Sequence, residues 1–241
     1  PNTRVQRIIR QAGNWWGGID ERQQGNILTT VNKNLAFLKD WSIEPVVSAS
    51  SFDMRQLRGG RLTIYLSLPF TYVKTMRPWL RVMLTMSLLA LLSEATEVKP
   101  PVLFLIDEWV AGVGRLDLIE RAIPTIRGYG GRFAFILQGL QFLEEMYPNQ
   151  WEGILNTMGA QIYCRVNNLR EAEYISRRLG NRTILGAGST ISNGHLMGQP
   201  LLMPDQVMQF PREIVLLQNE KPLQCQTINC WTDNRLRGGL A

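Results

Sequence analysis

The 241-residue sequence predicts an α/β protein in which a largely parallel sheet carries helices on both faces and follows a helical segment. Three observations lead to this fold class. Short apolar runs alternate with stretches of helical periodicity, as in consecutive strand–helix–strand units. The first fifty or so residues show helical patterns only. Neither an internal repeat nor a low-complexity segment interrupts the order.

The helical segment is predicted from positions 21–38, where an apolar residue recurs every three or four positions. The tryptophans and glycines at 15–18 are interpreted as a loop before this helix. Pro45 is expected to end the helical region, because a helix interior needs the N–H that proline lacks. The junction with the sheet domain is placed near positions 48–53.

Strands and helices then alternate to the end of the chain. Strands are predicted at 62–68, 102–106, 132–137, 160–164, 213–218 and 223–228, and helices at 73–91, 116–126 and 169–179, with another helical stretch before position 160. The Gly/Ser-rich positions 186–198 are predicted as a loop. Helices of this length between strands indicate parallel pairing.

Composition narrows the class of protein. The net charge of +6 fits an acidic partner, such as nucleic acid, a membrane surface or an acidic protein, and equally a merely basic protein. Three cysteines without paired histidines are expected to be reduced thiols. His195, the only histidine, is expected to be a loop residue. The longest apolar run, 82–92, is too short to span a bilayer, which leaves open an anchor in a preceding segment.

The strongest chemical signal is a pair of acidic residues directly after a buried strand. Positions 102–106 are apolar throughout, and Asp107 and Glu108 follow. A parallel strand delivers such residues to its carboxyl edge, where α/β proteins bind ligands. In phosphate-loop ATPases the first acid holds magnesium and the second can polarise the attacking water. Such a pair also begins many ordinary loops, so both interpretations stay open at this point.

Gln138 favours the catalytic interpretation because it follows the next predicted strand. If the two strands are parallel neighbours, Gln138 emerges at the same sheet edge as Asp107 and Glu108. A neutral amide can donate to a phosphate oxygen and accept from water, as a γ-phosphate sensor must. The alternative is a glutamine in the turn that starts a helix.

The phosphate-binding loop of such an ATPase does not occur in the sequence. There is no G-x-x-x-x-G-K-[ST] motif, and no glycine precedes a lysine. The glycine pairs at 17–18, 59–60 and 130–131 are interpreted as turns. Without that loop, the chain by itself is expected to bind ATP weakly at best and not to hydrolyse it.

The arginines are numerous but dispersed. Two groups stand out: Arg4, Arg7 and Arg10 on one helical face, and Arg177, Arg178 and Arg182 around a helix end. Either group can contact phosphates, but solvated basic faces are commoner. Aromatic residues do not interleave with basic ones, so no stacking platform for single strands is predicted.

A series of motifs in a fixed order covers nearly the whole chain. It comprises GNILTTV at 25–31, FDMRQL at 52–57, VLFLIDEW at 102–109, GR at 114–115, GYGGR at 128–132, Gln138, WE at 151–152, VNNLREAEYI at 166–175, LG at 179–180 and LLMPD at 201–205. The series resembles the type IV secretion coupling proteins, the TraG/VirD-type ATPases. The order of the motifs is more specific than any one of them.

The resemblance implies a RecA-like motor domain with an all-helical domain inserted after its first strands. Residues 1–50 would be the end of that insertion. Residues 51–241 would be the second part of the nucleotide-binding domain, with the Walker B and sensor strands present and Walker A upstream. Family members sit on the cytoplasmic face of the bacterial inner membrane, held by an N-terminal anchor, and form hexamers. They recruit DNA–relaxase complexes or effector proteins to the secretion channel and its other subunits.

The resemblance also implies roles for single residues, with ATP and Mg²⁺ as cofactors. Asp107 looks like the acid that coordinates magnesium through water, Glu108 like the catalytic glutamate, and Gln138 like the sensor. Arg165, after the strand at 160–164, is a candidate for the trans-acting arginine that contacts nucleotide.

Three functions are weighed on this basis. The leading one is an ATP-driven motor that recruits substrates for type IV secretion or conjugation. A docking module that binds secretion partners without ATP turnover is the alternative, and the absent phosphate loop is its support. A RecA-like DNA pump unrelated to secretion is disfavoured by the motifs around Tyr174 and Pro204.

Overall fold

The computed structural model describes residues 3–41, 43–60, 62–94, 96–185, 196–228 and 233. The helices in these ranges are α1 (Thr3–Gly17), α2 (Glu21–Asn34), α3 (Glu44–Ser48), α4 (Phe70–Leu92), α5 (Trp109–Gly112), α6 (Asp117–Ala122), α7 (Leu140–Met146), α8 (Trp151–Thr157), α9 (Leu169–Leu179) and α10 (Pro204–Met208). The strands are β1 (Val102–Ile106), β2 (Gly131–Phe135), β3 (Ala160–Tyr163), β4 (Asn181–Leu185), β5 (Leu196–Pro200), β6 (Glu213–Leu217) and β7 (Leu223–Cys225). Short 3₁₀ helices form at Ala36–Lys39, Met54–Gly59 and Ile126–Tyr129. The chain divides into two compact units, Pro1–Ile136 and Leu137–Ala241.

Strand pairing differs between the two units. In the first, β1 and β2 pair in parallel, from Val102 opposite Gly131 to Ile106 opposite Phe135. In the second, β6 lies between β3 and β7, and all described pairs, including β4 with β5, are antiparallel. The connection between β6 and β7 is too short for a parallel crossover. The predicted α/β class, with a parallel sheet and helices, is confirmed.

The described residues up to Ser48 are mostly helical, as predicted, but two details differ. α1 continues to Gly17, so the loop predicted at 15–18 is wrong; the tryptophans belong to its last turn, where the N–H of Gly18 donates to Trp15 O. Pro45 lies in the first turn of α3 instead of ending the helical region. The N–H that proline gives up there would have no helical partner in any case. The domain division predicted at position 50 stays a prediction.

α4 packs against the helical segment through a small apolar cluster. Phe37, Ile43 and Met76 are buried in it, and Leu68 and Trp79 pack against them. Met76 is 2% exposed. The helix predicted at 73–91 is therefore confirmed, and the helical segment fixes the position of its N-terminal half.

β1 has one buried face and one exposed face. Phe104 and Ile106 are buried, and the ring of Phe104 lies 5.5 Å from that of Phe133 in β2. Leu103 and Leu105 of the opposite face are 61% and 64% exposed. Among the described residues, β2 is the strand that pairs with β1. The other edge of β1 is open in this part of the chain.

The strand predicted at 132–137 forms with shifted boundaries, as β2. It begins at Gly131, where an added Cβ would overlap Cγ1 of Ile126 and lie 2.8 Å from Cδ2 of Leu91. Only glycine fits this contact without repacking. The helix predicted at 116–126 is shorter, Asp117–Ala122; Ile123 still has helical φ and ψ, but Pro124 has no N–H to continue the hydrogen bonds.

The strand predicted at 62–68 is wrong, because these described residues form no strand. The side-chain alternation that suggested it is present in part: Leu62 and Ile64 are half-buried, and Thr63 and Tyr65 are exposed. A strand also needs partners for its backbone groups, and no described strand pairs with this segment.

The second unit is built around α9, whose bounds match the prediction. Asn168 caps the helix, since its side-chain oxygen accepts from the backbone N–H of Arg170 at 2.9 Å and of Glu171 at 3.3 Å. Ser176 in its buried face donates to the carbonyl of Leu202 at 2.5 Å, which ties α9 to the segment before α10.

Several strand boundaries of the second unit differ from prediction. The loop predicted at 186–198 lies outside the described residues over 186–195 and is wrong at its end, because β5 begins at Leu196; β4, the partner of β5, was not predicted. β4 begins with polar residues and β5 contains Gly and Pro, so neither strand shows the alternation of apolar and polar residues that predicts a strand. β3, β6 and β7 end at Tyr163, Leu217 and Cys225, earlier than predicted.

The structure bears on the predictions for the cysteines, the histidine and the membrane. Cys164 and Cys225 are free thiols at exposed positions. Cys230 and His195 lie outside the described residues. None of the described helices combines the length and the apolar character that a membrane-spanning segment needs.

Candidate functional site

The turn after β1 carries the two predicted acidic residues. Asp107 is exposed, and its Oδ1 accepts a hydrogen bond from the backbone N–H of Glu108 at 2.9 Å. The carbonyl of Glu108 accepts from Gly112 N at 2.7 Å, and that of Trp109 from Gly114 N at 2.9 Å. These bonds close a tight turn of α5 directly after the strand, so both carboxylates stand at the carboxyl end of β1.

Glu108 occupies an unusual backbone conformation. Its φ of 46° and ψ of 48° lie in the left-handed region, which costs a non-glycine residue on the order of 1 kcal/mol. Nothing in the turn geometry requires a glutamate side chain there, and glycine would adopt the conformation freely. A strained glutamate at the carboxyl end of a parallel strand is the kind of outlier that functional sites retain.

A buried aromatic stack fixes the turn to the sheet. Trp109 is 1% exposed, and its indole stacks on the ring of Phe135 with centroids 4.1 Å apart. The parallel ladder also continues past the strand, since Ile136 N donates to Ile106 O at 3.0 Å and Trp109 N to Ile136 O at 3.4 Å. The residues that flank Glu108 are therefore held by both packing and backbone bonds.

Gln138 follows β2 by three residues and is exposed. The parallel register of Ile106 with Phe135 means that the chain leaves β1 and β2 at the same sheet edge. The strand order that the prediction required is thus present. Gln138 itself belongs to the second compact unit, and its role as a sensor stays a prediction.

Arg165 also has a left-handed backbone, with φ of 49°, at the exposed end of β3. The hydrogen bond from the Thr227 hydroxyl is the main cause that lowers the pKa of the Glu213 carboxyl, and the charge of Arg165 is a minor one. Burial raises the pKa of the neighbouring Cys164 thiol. Arg165 lies in the second unit, and its contact with nucleotide stays a prediction.

The two arginine groups take different settings. Arg7 and Arg10 are exposed on α1, in agreement with a solvated helical face. Arg177 and Arg178 end α9 and line a surface cavity of about 220 Å³ together with Glu152, Asn156 and Tyr174. Arg178 Nη1 donates to Asn156 Oδ1 at 3.0 Å, and Arg182 to Gln199 at 3.1 Å. Neither group is assigned to a ligand by these contacts.

The donor set around Asp107 fits magnesium and not a structural metal. Among the described residues, no three His, Cys, Asp or Glu side chains come together as a metal cage. Magnesium is usually held by one or two carboxylates together with water and substrate phosphates. Asp107 uses Oδ1 toward Glu108 and is exposed, which suits binding to the hydrated ion.

Two supporting residues were not predicted. Trp109 was noted only as part of a motif, although a large aromatic after two acids can signal an anchored turn. Arg77 in α4 donates from Nη2 to the carbonyl of Ala111 at 2.6 Å. A charged residue inside an apolar helix pattern was the available signal for it.

A family model and individual relatives match this sequence, and all of them are proteins of type IV secretion or conjugal transfer. The family model described as "Type IV secretory system Conjugative DNA transfer" matches residues 6–238. Protein VirD4 of Agrobacterium fabrum is 30% identical over 209 residues, which cover 81% of this chain and 31% of that protein. The conjugal transfer protein TraG of Rhizobium radiobacter is 27% identical over 197 residues, which cover 75% of this chain and 30% of that protein. The chain spans about a third of the length of these relatives.

Solved structures share the fold. The bacterial conjugative coupling protein TrwBdeltaN70 superimposes with a TM-score of 0.63 at 16% identity, over 73% of this chain and 44% of that chain. The plasmid coupling protein TrwB in complex with ADP and Mg²⁺ gives a TM-score of 0.62 at 16% identity, over 73% and 43% of the two chains. The likeness confirms the predicted RecA-like α/β fold.

Proposed function

This chain belongs to the type IV secretory system conjugative DNA transfer family, and we propose on that premise that it is part of an ATP-hydrolysing coupling protein. The complete protein recruits DNA–relaxase or effector protein substrates to a bacterial secretion or conjugation channel. The activity is that of the complete protein, because a phosphate-binding loop does not occur in these 241 residues. By itself, this chain is inactive as an ATPase.

The observation that carries the proposal is the strained turn at Glu108. A carboxylate next to the bound triphosphate can orient and polarise the water that attacks the γ-phosphate. The stack of Trp109 on Phe135 fixes the turn, so the carboxylate is positioned before the reaction.

Asp107 is proposed to hold Mg²⁺ through bound water, and the ion, when bound, neutralises charge on the phosphates. The hydrogen bond from Glu108 N orients the Asp107 carboxylate and leaves Oδ2 for the water shell. The TrwB structures with ADP and Mg²⁺, and with nucleotide analogues, support nucleotide and magnesium as ligands of this fold.

Gln138 is proposed to contact the γ-phosphate and the attacking water, as catalytic sensor and nucleotide ligand. Its position after β2, the parallel neighbour of β1, supports this role. Arg165 is proposed to contact nucleotide across a subunit boundary, and its position after β3 with a constrained backbone supports it.

The rest of the proposal concerns the complete protein. Residues 1–50 form the end of an inserted all-helical domain, and residues 51–241 the second part of the motor domain. The complete protein is a hexamer on the cytoplasmic face of the inner membrane, anchored by an N-terminal segment, and contacts other secretion subunits. The alternative is a catalytically silent docking module, which the missing phosphate-binding loop favours.

Transfer by the complete protein in its bacterial host tests the proposal. Glu108→Gln should reduce conjugative transfer or effector secretion to the level of a deletion strain, while protein abundance stays normal. Glu145→Gln, at an exposed position of α7, is the matched control and should transfer normally. Normal transfer by Glu108→Gln would favour the silent docking module.

A further inference from the structure

Arg77 connects the N-terminal half of α4 to the turn that carries Glu108. Its Nη2 donates to the carbonyl of Ala111 at 2.6 Å. Its Nη1 lies against Gly114, where an added Cβ would be 3.6 Å away. The guanidinium therefore spans the C-terminal half of the turn, from Ala111 to Gly114.

The same turn is bonded back to Glu108. Gly112 N donates to Glu108 O at 2.7 Å, and both Val113 N and Gly114 N donate to Trp109 O, at 3.1 and 2.9 Å. A shift of the Ala111–Gly114 backbone therefore disturbs the two peptide groups that directly follow the Glu108 side chain, those with the carbonyls of Glu108 and Trp109. Besides these backbone bonds, the Arg77 side chain adds a hydrogen bond from α4 to this four-residue helix.

The surroundings of Arg77 restrict where its side chain can lie. Among the described residues, the Nε of Arg77 has no hydrogen-bond partner, although it is shielded from solvent. No acidic residue in the same part of the chain forms a salt bridge with its guanidinium. The neighbouring Met76 is buried with Phe37 and Ile43, and this cluster fixes the helical turn of α4 that carries Arg77. Shielding a charged guanidinium from water costs free energy unless it is paired and hydrogen-bonded, so the bond to Ala111 offsets only part of this cost.

We propose that Arg77 is a positioning residue for the catalytic turn, holding the backbone of Ala111–Gly114 so that Glu108 keeps its left-handed conformation. This inference rests on the proposed function, because it assumes that Glu108 acts in ATP hydrolysis. Arg77 does not touch the reacting groups; it acts through the turn.

ATP hydrolysis by the complete protein tests the inference with three variants. Arg77→Met removes the guanidinium and keeps the apolar stem, Arg77→Lys restores a cationic donor, and Arg81→Met removes a charge one turn further along α4 as the control. We expect Arg77→Met to lower kcat about 10- to 100-fold, the range that a misplacement of about 1 Å causes. KM for ATP and Tm should stay near the values of the unchanged protein, Arg77→Lys should recover most of kcat, and Arg81→Met should behave normally.

The outcomes separate the inference from the proposed function. Unchanged kcat in Arg77→Met, with activity lost in Glu108→Gln, overturns the positioning role and leaves the function intact. Normal kcat in Glu108→Gln overturns the function itself. A fall in Tm that accounts for the lost activity, or no recovery in Arg77→Lys, shows a structural role only and also overturns the inference. If Arg77→Met does not fold, Arg77→Gln is judged by the same criteria, and its failure to fold counts against the inference.

Discussion

The indole of Trp109 stacks on the ring of Phe135 with a centroid distance of 4.1 Å and an interplanar angle of 24°. Phe135 in turn stacks on Phe133, 5.1 Å away, and Phe133 faces Phe104 across the strand pair. The residue that directly follows the proposed catalytic glutamate is thus the end of an aromatic row that runs through the sheet. Core packing and site geometry depend on the same side chain.

Removal of the Trp109 ring should destabilise the first unit. We expect Trp109→Ala to lower the free energy of unfolding by about 3 to 5 kcal/mol, since it leaves a large cavity beside Phe135. Trp109→Phe should cost less because it keeps a stacking ring. Trp41→Ala is the control, since Trp41 is 85% exposed, and should change stability little. Urea unfolding measures all three, and equal effects at positions 109 and 41 would contradict the packing.

Gly131 should not tolerate a methyl group. An added Cβ overlaps the side chain of Ile126, so Gly131→Ala should cost about 1 to 3 kcal/mol. Gly25→Ala is the matched control, because nothing lies within 4 Å of a Cβ there and the residue is inside α2. It should stabilise the protein by up to about 1 kcal/mol through helix propensity. Thermal unfolding should therefore move in opposite directions for the two variants.

Asp53 should titrate well below its ordinary range. Hydrogen bonds from the Arg55 side chain lower the pKa of the Asp53 carboxyl from 3.8 to about 2. A lowered pKa stabilises the fold above the ordinary value, and this contribution is lost as pH falls through the folded value. Arg55→Gln should raise the pKa toward 3.8, whereas Arg22→Gln should not. Carboxyl ¹³C shifts at pH 3 would show Asp53 mostly ionised in the unchanged protein and more protonated in Arg55→Gln, which keeps only the backbone hydrogen bond from residue 55; equal shifts would contradict the pair.

The isolated chain should bind ATP weakly at best. Asp107 and Glu108 offer negative charge, and the sequence supplies neither the row of backbone donors nor the lysine of a phosphate-binding loop. Calorimetry with Mg²⁺ and ATP should show no tight binding by the 241-residue chain. Tight binding would mean that these residues build a phosphate cradle of another kind.

The sequence predicted those elements whose signal is local. β1 and α9 have the predicted bounds, because a continuous apolar run and a capped amphipathic helix depend on nearby residues only. The strand at 62–68 failed because pairing depends on a distant partner that no local pattern specifies. β4 and β5 were missed because their polar, Gly and Pro residues resemble a loop.

In the candidate site, too, the features with a local sequence signal were predicted and those without one were not. The acidic pair and its place after β1 follow from the sequence, and the parallel register with β2 agrees with it. The left-handed backbone of Glu108 could not be foreseen, since non-glycine residues rarely adopt it. The hydrogen bond from Arg77 to the carbonyl of Ala111 could not be foreseen either, because the two residues are 34 positions apart in the sequence.

The most direct test of the account is ATP turnover by the complete protein carrying Glu108→Gln. An amide keeps the size and shape of the side chain but cannot hold charge against the attacking water or accept its proton. We expect kcat to fall by at least about 100-fold, while binding of ATP measured by calorimetry stays within a few fold of the unchanged protein. Glu145→Gln should leave both quantities unchanged. Near-normal turnover by Glu108→Gln would contradict the assignment of Glu108 as the catalytic carboxylate.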